Sequence, residues 1–456
     1  MASGITLFGI FFLPIVLFWI FSWSKHLIPL LVFSSIFQAA SIYNFNSFAI
    51  SPYYFVSIII LFRFLVMLIV FDEKLYISNI KLKYVIISLI AFLGWAVLSS
   101  LVLPFIFEGI SIFSPKEGID EQYYYQSKLF WSMSNIAQDV YLLLNIINVF
   151  SFIQYVSNEE NKKIVLKAFL FSAYVAIFMV LYHSLSKFIQ IPFPEGFLYS
   201  NPFYSQGFEQ RVGGLFRANG TFSEPSLAST YLVGITCSFF TFKINNCTSF
   251  QQFLMFLMSF LALLVTTATT GYVTFFIIMS ILFMIKFFNI IYRFKVKIAT
   301  LIKIVLLLFF TGLIFLIVIN LDLLSSIESL TTSKNESDSF KHRIFSDLFA
   351  INIFLETYGF GVGLGSNRPS SYLTSLLSNL GVLGAGIMFY VIYVILQLTF
   401  KLRNNNEIRF FFLIFIATFI SQIFSIPDLT LPFFWLNLGY LLAYLNYFSR
   451  KLIVQK

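Results

Sequence analysis

Long apolar stretches alternate with short polar connections along the whole chain. They cover residues 4–22, 27–45, 52–71, 83–107, 136–156, 164–188, 226–243, 250–268, 271–289, 299–320, 371–399, 409–424 and 433–448. Each is near the ~20 residues that an α-helix needs to cross a bilayer. None has the period-two alternation of a membrane β-strand. The pattern predicts an all-α, polytopic membrane protein of 12–13 transmembrane helices, forming a single transmembrane domain over residues 1–456. Twelve follows if one of the first two stretches is re-entrant or interfacial. The first stretch, "ITLFGIFFLPIVLFWIFSW", follows "MASG" with no positive charge before it and no small-residue cleavage site after it. It reads as a retained helix and not a signal peptide.

Composition leaves no room for a separate soluble domain. Charged residues are 11% of the chain, apolar ones 59%, and mean hydropathy is +0.88, against about 25% charged in soluble domains. The net charge of +9 does not point to nucleic acid, because basic residues gather in short connections such as those holding Lys74, Lys81 and Lys83, Lys162 and Lys163, and Lys401 and Arg403. By the positive-inside rule those connections face the cytoplasm, which puts the N-terminus of a thirteen-helix chain outside. Three long connections, 108–135, 189–225 and 321–370, then lie on the outer face. Long loops in compact domains are functional or disordered. The last two carry Arg211, Arg217, Lys341, Arg343 and Arg368 against the charge bias, and an anionic substrate would account for them. Cys237 and Cys247 form neither a disulfide framework nor a metal motif. Phosphate-loop, zinc-protease and nucleophile-elbow motifs are absent.

Two outer segments share one design. In "QRVGGLFRANGTFSEPSLASTYL" (210–232), Ser223 is placed to cap an inward-running helix with Pro225 in its first turn. In "GFGVGLGSNRPSSYL" (359–373), glycines recur at every second position before Arg368-Pro369-Ser370-Ser371 opens another such helix. Glycines let backbone approach a ligand closely, and a helix N-terminus attracts anions. Two such mouths with arginines would cradle a diphosphate, whose oxygens a guanidinium grips bidentately. The plainer account is that prolines and glycines mark helix ends while arginines anchor to headgroups.

Three further features are open to two readings each. "SDSFKHRIFSDLFAINIFLETYG" predicts an amphipathic helix in the 321–370 loop, lying along the outer surface and stopped by Gly359. It either packs plainly or holds Arg343 over a site. Arg63, in the middle of an apolar stretch, is a functional candidate by its cost or half of a structural pair with Asp139. Ser134, Gln138, Tyr141, Asn145 and Asn148 form one polar stripe, either interhelical glue or a cavity wall. Asn219-Gly220-Thr221 fits a glycosylation sequon, too short a pattern to carry weight.

"RANGTFSEPS" followed by an inward helix resembles the Arg-x-x-Gly-x-Phe-x-Glu-Pro-Ser segment of the Wzy-type O-antigen and capsule repeat-unit polymerases, within the O-antigen ligase and polymerase superfamily. "GFGVGLGSNRPSSYLTSLLSNLGVLG" is similar to their second signature. The resemblance covers most of the chain. It implies a fold similar to the GT-C-like polymerase and ligase fold, in the inner membrane, with the active site facing the periplasm. It implies transfer of a growing glycan from undecaprenyl diphosphate onto an undecaprenyl-diphosphate-linked oligosaccharide unit, with no metal or other cofactor. A flippase and a chain-length regulator are the implied partners, besides membrane lipids. On that resemblance Arg217 and Arg368 bind the diphosphate, Arg211 and Arg343 are second choices, and Glu224 is the general base, or else pairs with Arg217 and shapes the loop. Two departures stand out. "TTATTGYV" (266–273) lacks an arginine that many relatives carry, and His342 lies well upstream of "SNRPSS", where ligases carry histidine. The second departure favours polymerase over ligase. A flippase is the rival from outside the enzymes, but its internal repeats and unwound mid-membrane helices are not evident in the sequence.

Overall fold

Among the described residues the chain is a bundle of helices with three small antiparallel ladders at one end. The computed structural model describes residues 3–21, 26–72, 75–113, 126–203, 210–212, 215–242, 248–293 and 338–454. The helices are α1 (Leu7–Phe21), α2 (Leu27–Ser34), α3 (Pro52–Ile69), α4 (Ile80–Ile106), α5 (Met133–Tyr155), α6 (Glu159–Ile189), α7 (Glu195–Leu198), α8 (Pro225–Thr241), α9 (Ser249–Val265), α10 (Thr269–Arg293), α11 (Asp338–Glu356), α12 (Tyr372–Lys401), α13 (Asn406–Ser425) and α14 (Pro432–Val454). Among the described residues seven helices, α3 to α6, α10, α12 and α13, are long and apolar enough to cross a membrane. The protein is therefore a polytopic membrane protein. The stretch expected over 299–320 and much of the long connections lie outside the described residues.

Side-chain contacts sort the connections into two ends. At one end Lys81 Nζ donates to Gln397 Oε1 (2.6 Å), Arg450 Nη2 to the Tyr76 carbonyl (2.8 Å), and buried Lys162 pairs with Glu407 at 2.9 Å. The basic connections thus gather together, as the charge pattern requires. At the other end β1 (Gly4–Ile5), β2 (Tyr43–Asn44) and β3 (Ala49–Ile50) form one ladder. Beside it lie β4 (Ser111–Phe113) with β5 (Gln126–Lys128), and β6 (Arg211–Val212) with β7 (Leu215–Phe216).

Two predicted helices are altered. The stretch 27–45 is helical only to Ser34. Ser34 and Ser35 hydroxyls turn back onto the Leu31 and Val32 carbonyls, local bonds that compete with helix continuation. The following segment returns toward the ladders as irregular chain. Helix α12 breaks at Gly381, whose φ is 62° and ψ −162°. The amphipathic helix is found as α11. Ala350 and Ile353 are buried against the protein while Ile344, Leu348, Ile351 and Leu355 form an exposed apolar stripe, the character of a helix lying in a membrane interface.

Candidate functional site

The first arginine segment is a turn built over the end of α6. The Tyr199 hydroxyl lies 2.8 Å from the Gly220 carbonyl oxygen and 3.0 Å from Asn219 Oδ1, and the Gly220 amide donates to His183 Nδ1 at 3.2 Å. Asn219 is buried and its Nδ2 donates to the Phe222 carbonyl, so the sequon serves the fold. Glu224, and not Ser223, is the N-cap residue of α8, with Pro225 next. Its Oε2 accepts from Ser226 Oγ at 3.0 Å. The main-chain N–H of Arg217 donates to the Gln210 carbonyl and its Nη1 to Gln210 Oε1, while Nε is buried without a hydrogen-bond partner. Burial pulls the Arg217 guanidinium below its usual pKa, and the nearby Arg343 charge adds to this, against the pull of Glu224 and Tyr272. Tyr272 belongs to the turn that lacks an arginine. Arg343 and Glu224 thus each lie within electrostatic range of Arg217.

The second segment departs from its expected role. Gly361, Gly363 and Gly365 approach the protein's own backbone, not open space. Gly363 has φ +93°, and a Cβ there would lie 2.7 Å from the Ser99 carbonyl oxygen of α4. A Cβ on Gly381 would lie 2.3 Å from the Gly359 carbonyl oxygen. The glycine strand fills the break in α12: Val362 and Gly363 amides donate to Ser378 and Asn379 carbonyls, and the Val382 amide to Gly359. The N-terminus of α12 is not free either. Asp347 of α11 accepts from the Ser370 and Ser371 amides and the Thr374 hydroxyl. A carboxylate there satisfies helix donors and dipole together, so this mouth already holds its anion.

What the second segment does present is Arg368. The Arg368 amide donates to Phe113 O at 2.9 Å, and Asn367 is locked to Asn379, Ser378 and Phe113. The side chain projects from this rigid turn, 58% exposed, with Nη2 at 3.4 Å from Asp428 Oδ1. Arg368 and Glu224, from two distant segments, line one cavity of about 310 Å³ together with Asp428, Tyr53, Tyr54 and Gln138. A second space of about 400 Å³ continues from Arg368 and Asp428 past Ser132, Ser134, Ser366, Asn367, Ser375 and Asn379.

Asp428 is the residue that sequence reasoning missed. It sits in the short connection between α13 and α14, which has no glycine pattern and no arginine. That connection is held firmly: its carbonyls at 428, 429 and 430 accept from Gln422, Trp435, and Asn145 and Tyr54 respectively. Of the expected site residues, Arg217, Arg343 and Arg211 do not line the cavity, and Arg211 is exposed in β6. The polar stripe of α5 divides between its two readings. Asn145 and Asn148 bond to Tyr53 and Ser57 as glue, while Ser134 and Gln138 form cavity wall. Asp139 accepts from Ser100, whereas Arg63 lines a separate cavity with Ser151 and Tyr155 near the far end of α5. Of the two readings of Arg63, the pairing with Asp139 is thus corrected, since roughly three to four helical turns along α5 separate the two. The side chain of His342 lies outside the described residues. No family model matches the chain, and no curated protein matches it.

Proposed function

We propose that the chain is a polymerase of lipid-linked oligosaccharide repeat units in the bacterial inner membrane, with its active site facing the periplasm. It joins a growing glycan, carried on undecaprenyl diphosphate, to a hydroxyl of a further lipid-linked unit. The observation that carries this reading is the shared cavity of Arg368 and Glu224. The two segments that resemble the polymerase signatures lie about 140 residues apart (Glu224 to Arg368) and yet line one space with Asp428 between helices.

The chemistry needs little beyond what the cavity offers. Negative charge builds on the departing diphosphate, and a fixed guanidinium stabilises it with no reorganisation at the moment of reaction. Arg368 is the group that reaches the ligand. Arg217 and Arg343, like charges within electrostatic range of each other, add to the positive potential. A carboxylate in the cavity, Glu224 or Asp428, accepts the proton of the attacking hydroxyl. A fold of the GT-C-like kind, and a flippase and a chain-length regulator as partners, follow from the same resemblance.

The test is glycan laddering after deleting the gene and restoring wild type or Arg368→Ala. Single repeat units in the deletion, with ladders restored by wild type alone, support the reading. Long free polymer in the deletion makes the protein a ligase, and loss of the single unit from the outer face makes it a flippase.

A further inference from the structure

The two lobes of the cavity meet at the Arg368–Asp428 pair. One includes Glu224 and combines Tyr53, Tyr54 and Phe203 with hydroxyl and amide groups such as Ser223, Gln38 and Thr430. The other is lined by hydroxyls and amides, among them Ser132, Ser134, Asn367 and Ser375. Gln138, Arg368, Pro427 and Asp428 border both lobes, so Asp428 is the carboxylate that reaches both, and serves an acceptor in either, while Glu224 faces only the first.

We infer that the hydroxyl-and-amide lobe holds the acceptor sugar and that Asp428 takes the proton from its attacking hydroxyl. The inference rests on the polymerase reading above. Sugars present hydroxyls that both donate and accept, and serine hydroxyls match them in both senses. The base must touch the acceptor while the cation touches the departing diphosphate, and the one place where both lobes are in reach is the junction that Asp428 and Arg368 occupy. Their 3.4 Å contact is longer than a tight charge-assisted hydrogen bond of about 2.7–2.9 Å. A diphosphate outbids a single carboxylate for the guanidinium, leaving Asp428 to accept the hydroxyl. In the transfer step the acceptor oxygen bonds to the anomeric carbon of the donor glycan. The bond from that carbon to the diphosphate oxygen breaks with its electron pair, which leaves on the lipid diphosphate beside Arg368. The hydroxyl proton goes to Asp428. The carbonyl bonds that hold 428–430 keep this carboxylate in place through the cycle.

The test uses the full-length protein in vesicles, supplied with lipid-linked units extracted from cells lacking the gene, with chain growth followed across a pH series. Asp428→Asn is expected to lower kcat about 100-fold or more, leave KM within about twofold, and abolish the limb on which wild-type kcat rises with pH. Glu224→Gln keeps that limb. Ser132→Ala and Ser375→Ala raise KM severalfold with kcat retained. Asp428→Asn that turns over within about threefold of wild type with its rising limb intact overturns the base, and unchanged KM in both serine variants overturns the lobe. In either case the polymerase reading stands if Arg368→Ala is inactive. If Asp428→Asn does not accumulate, Asp428→Glu decides: an unaltered kcat and limb refute the assignment. Wild-type protein that leaves the units unextended overturns the reading and this inference together.

Discussion

Arginine, glycine and aspartate carry the argument at the scale of single residues, and their neighbourhoods in sequence reveal them to different degrees. Arg368 was legible because an exposed-side arginine opposes the charge bias, and its position on a turn locked by Asn367 makes it a rigid donor. Arg368→Lys keeps the charge but loses the planar fork, so turnover is expected to fall nearly as far as in Arg368→Ala, about 100-fold or more. Rates of lysine and wild-type proteins that agree within a few-fold would show that a point charge suffices. The glycines were legible as special but not as packing residues, because sequence shows that backbone must come close without showing to what. Gly363→Ala places a Cβ against the Ser99 carbonyl at positive φ, with a strain of about 1–3 kcal/mol before any clash. Gly386, with nothing within 4 Å of its would-be Cβ, is the control. In a thermal-shift assay in detergent, Gly363→Ala is expected to melt several degrees lower and Gly386→Ala no lower than wild type. Equal melting of the two variants would contradict the packing role. Asp428 was not legible, since one acid in a short connection has no pattern around it and its importance comes only from what folds beside it.

Helices and their ends behave as the sequence predicts where the signal is local, and depart from it where the partner is remote. The caps at Ser51, Asn79 and Asn405 are local, each side chain accepting a bond from its own helix. The N-terminus of α12 instead takes its cap from Asp347, twenty-three residues before Ser370. No window of sequence around Ser371 contains that information, and the reading of a free anion site there fails for that reason. Asp347 therefore joins α11 to the arginine turn. Asp347→Ala is expected to cost about 1–2 kcal/mol through the lost cap and to reduce turnover by loosening Arg368. Asp347→Asn, which can still accept at one oxygen, is expected to recover part of the stability. If both variants match wild type in melting and rate, α11 is not what holds the turn. The break in α12 was likewise hidden, since Gly381 within a long apolar stretch reads as a tolerated glycine. Transporters use such breaks to bind substrate. Here Trp95 donates to the Leu380 carbonyl, and the strand from Gly359 to Gly363 pairs with the Ser378 and Asn379 carbonyls and the Val382 amide. The break is occupied by the protein itself.

For the whole molecule, the two ends of the bundle have separate characters that follow from charge and polarity alone. Basic connections gather at one end and the arginine cavity opens at the other, and hydrogen bonds within each end keep that partition. The sequence predicts this partition because a bilayer imposes it on every connection, one helix after another, so errors in a single boundary do not propagate. The same constraint makes orientation testable without knowing the substrate. Gly196, in α7 near the ladders, has no atom within 4 Å of an added Cβ, and Asn404 is exposed in the basic connection between α12 and α13. In a protein whose own cysteines are replaced, Gly196→Cys is expected to react with a membrane-impermeant thiol reagent on intact spheroplasts. Asn404→Cys is expected to react only after the membrane is opened, because a lysine- and arginine-rich connection stays on the side of synthesis. Labelling in the reverse order would place Arg368 on the cytoplasmic side. Units that have already crossed the membrane could not then reach it, and the proposed reaction would lose its substrate whatever the geometry of the cavity.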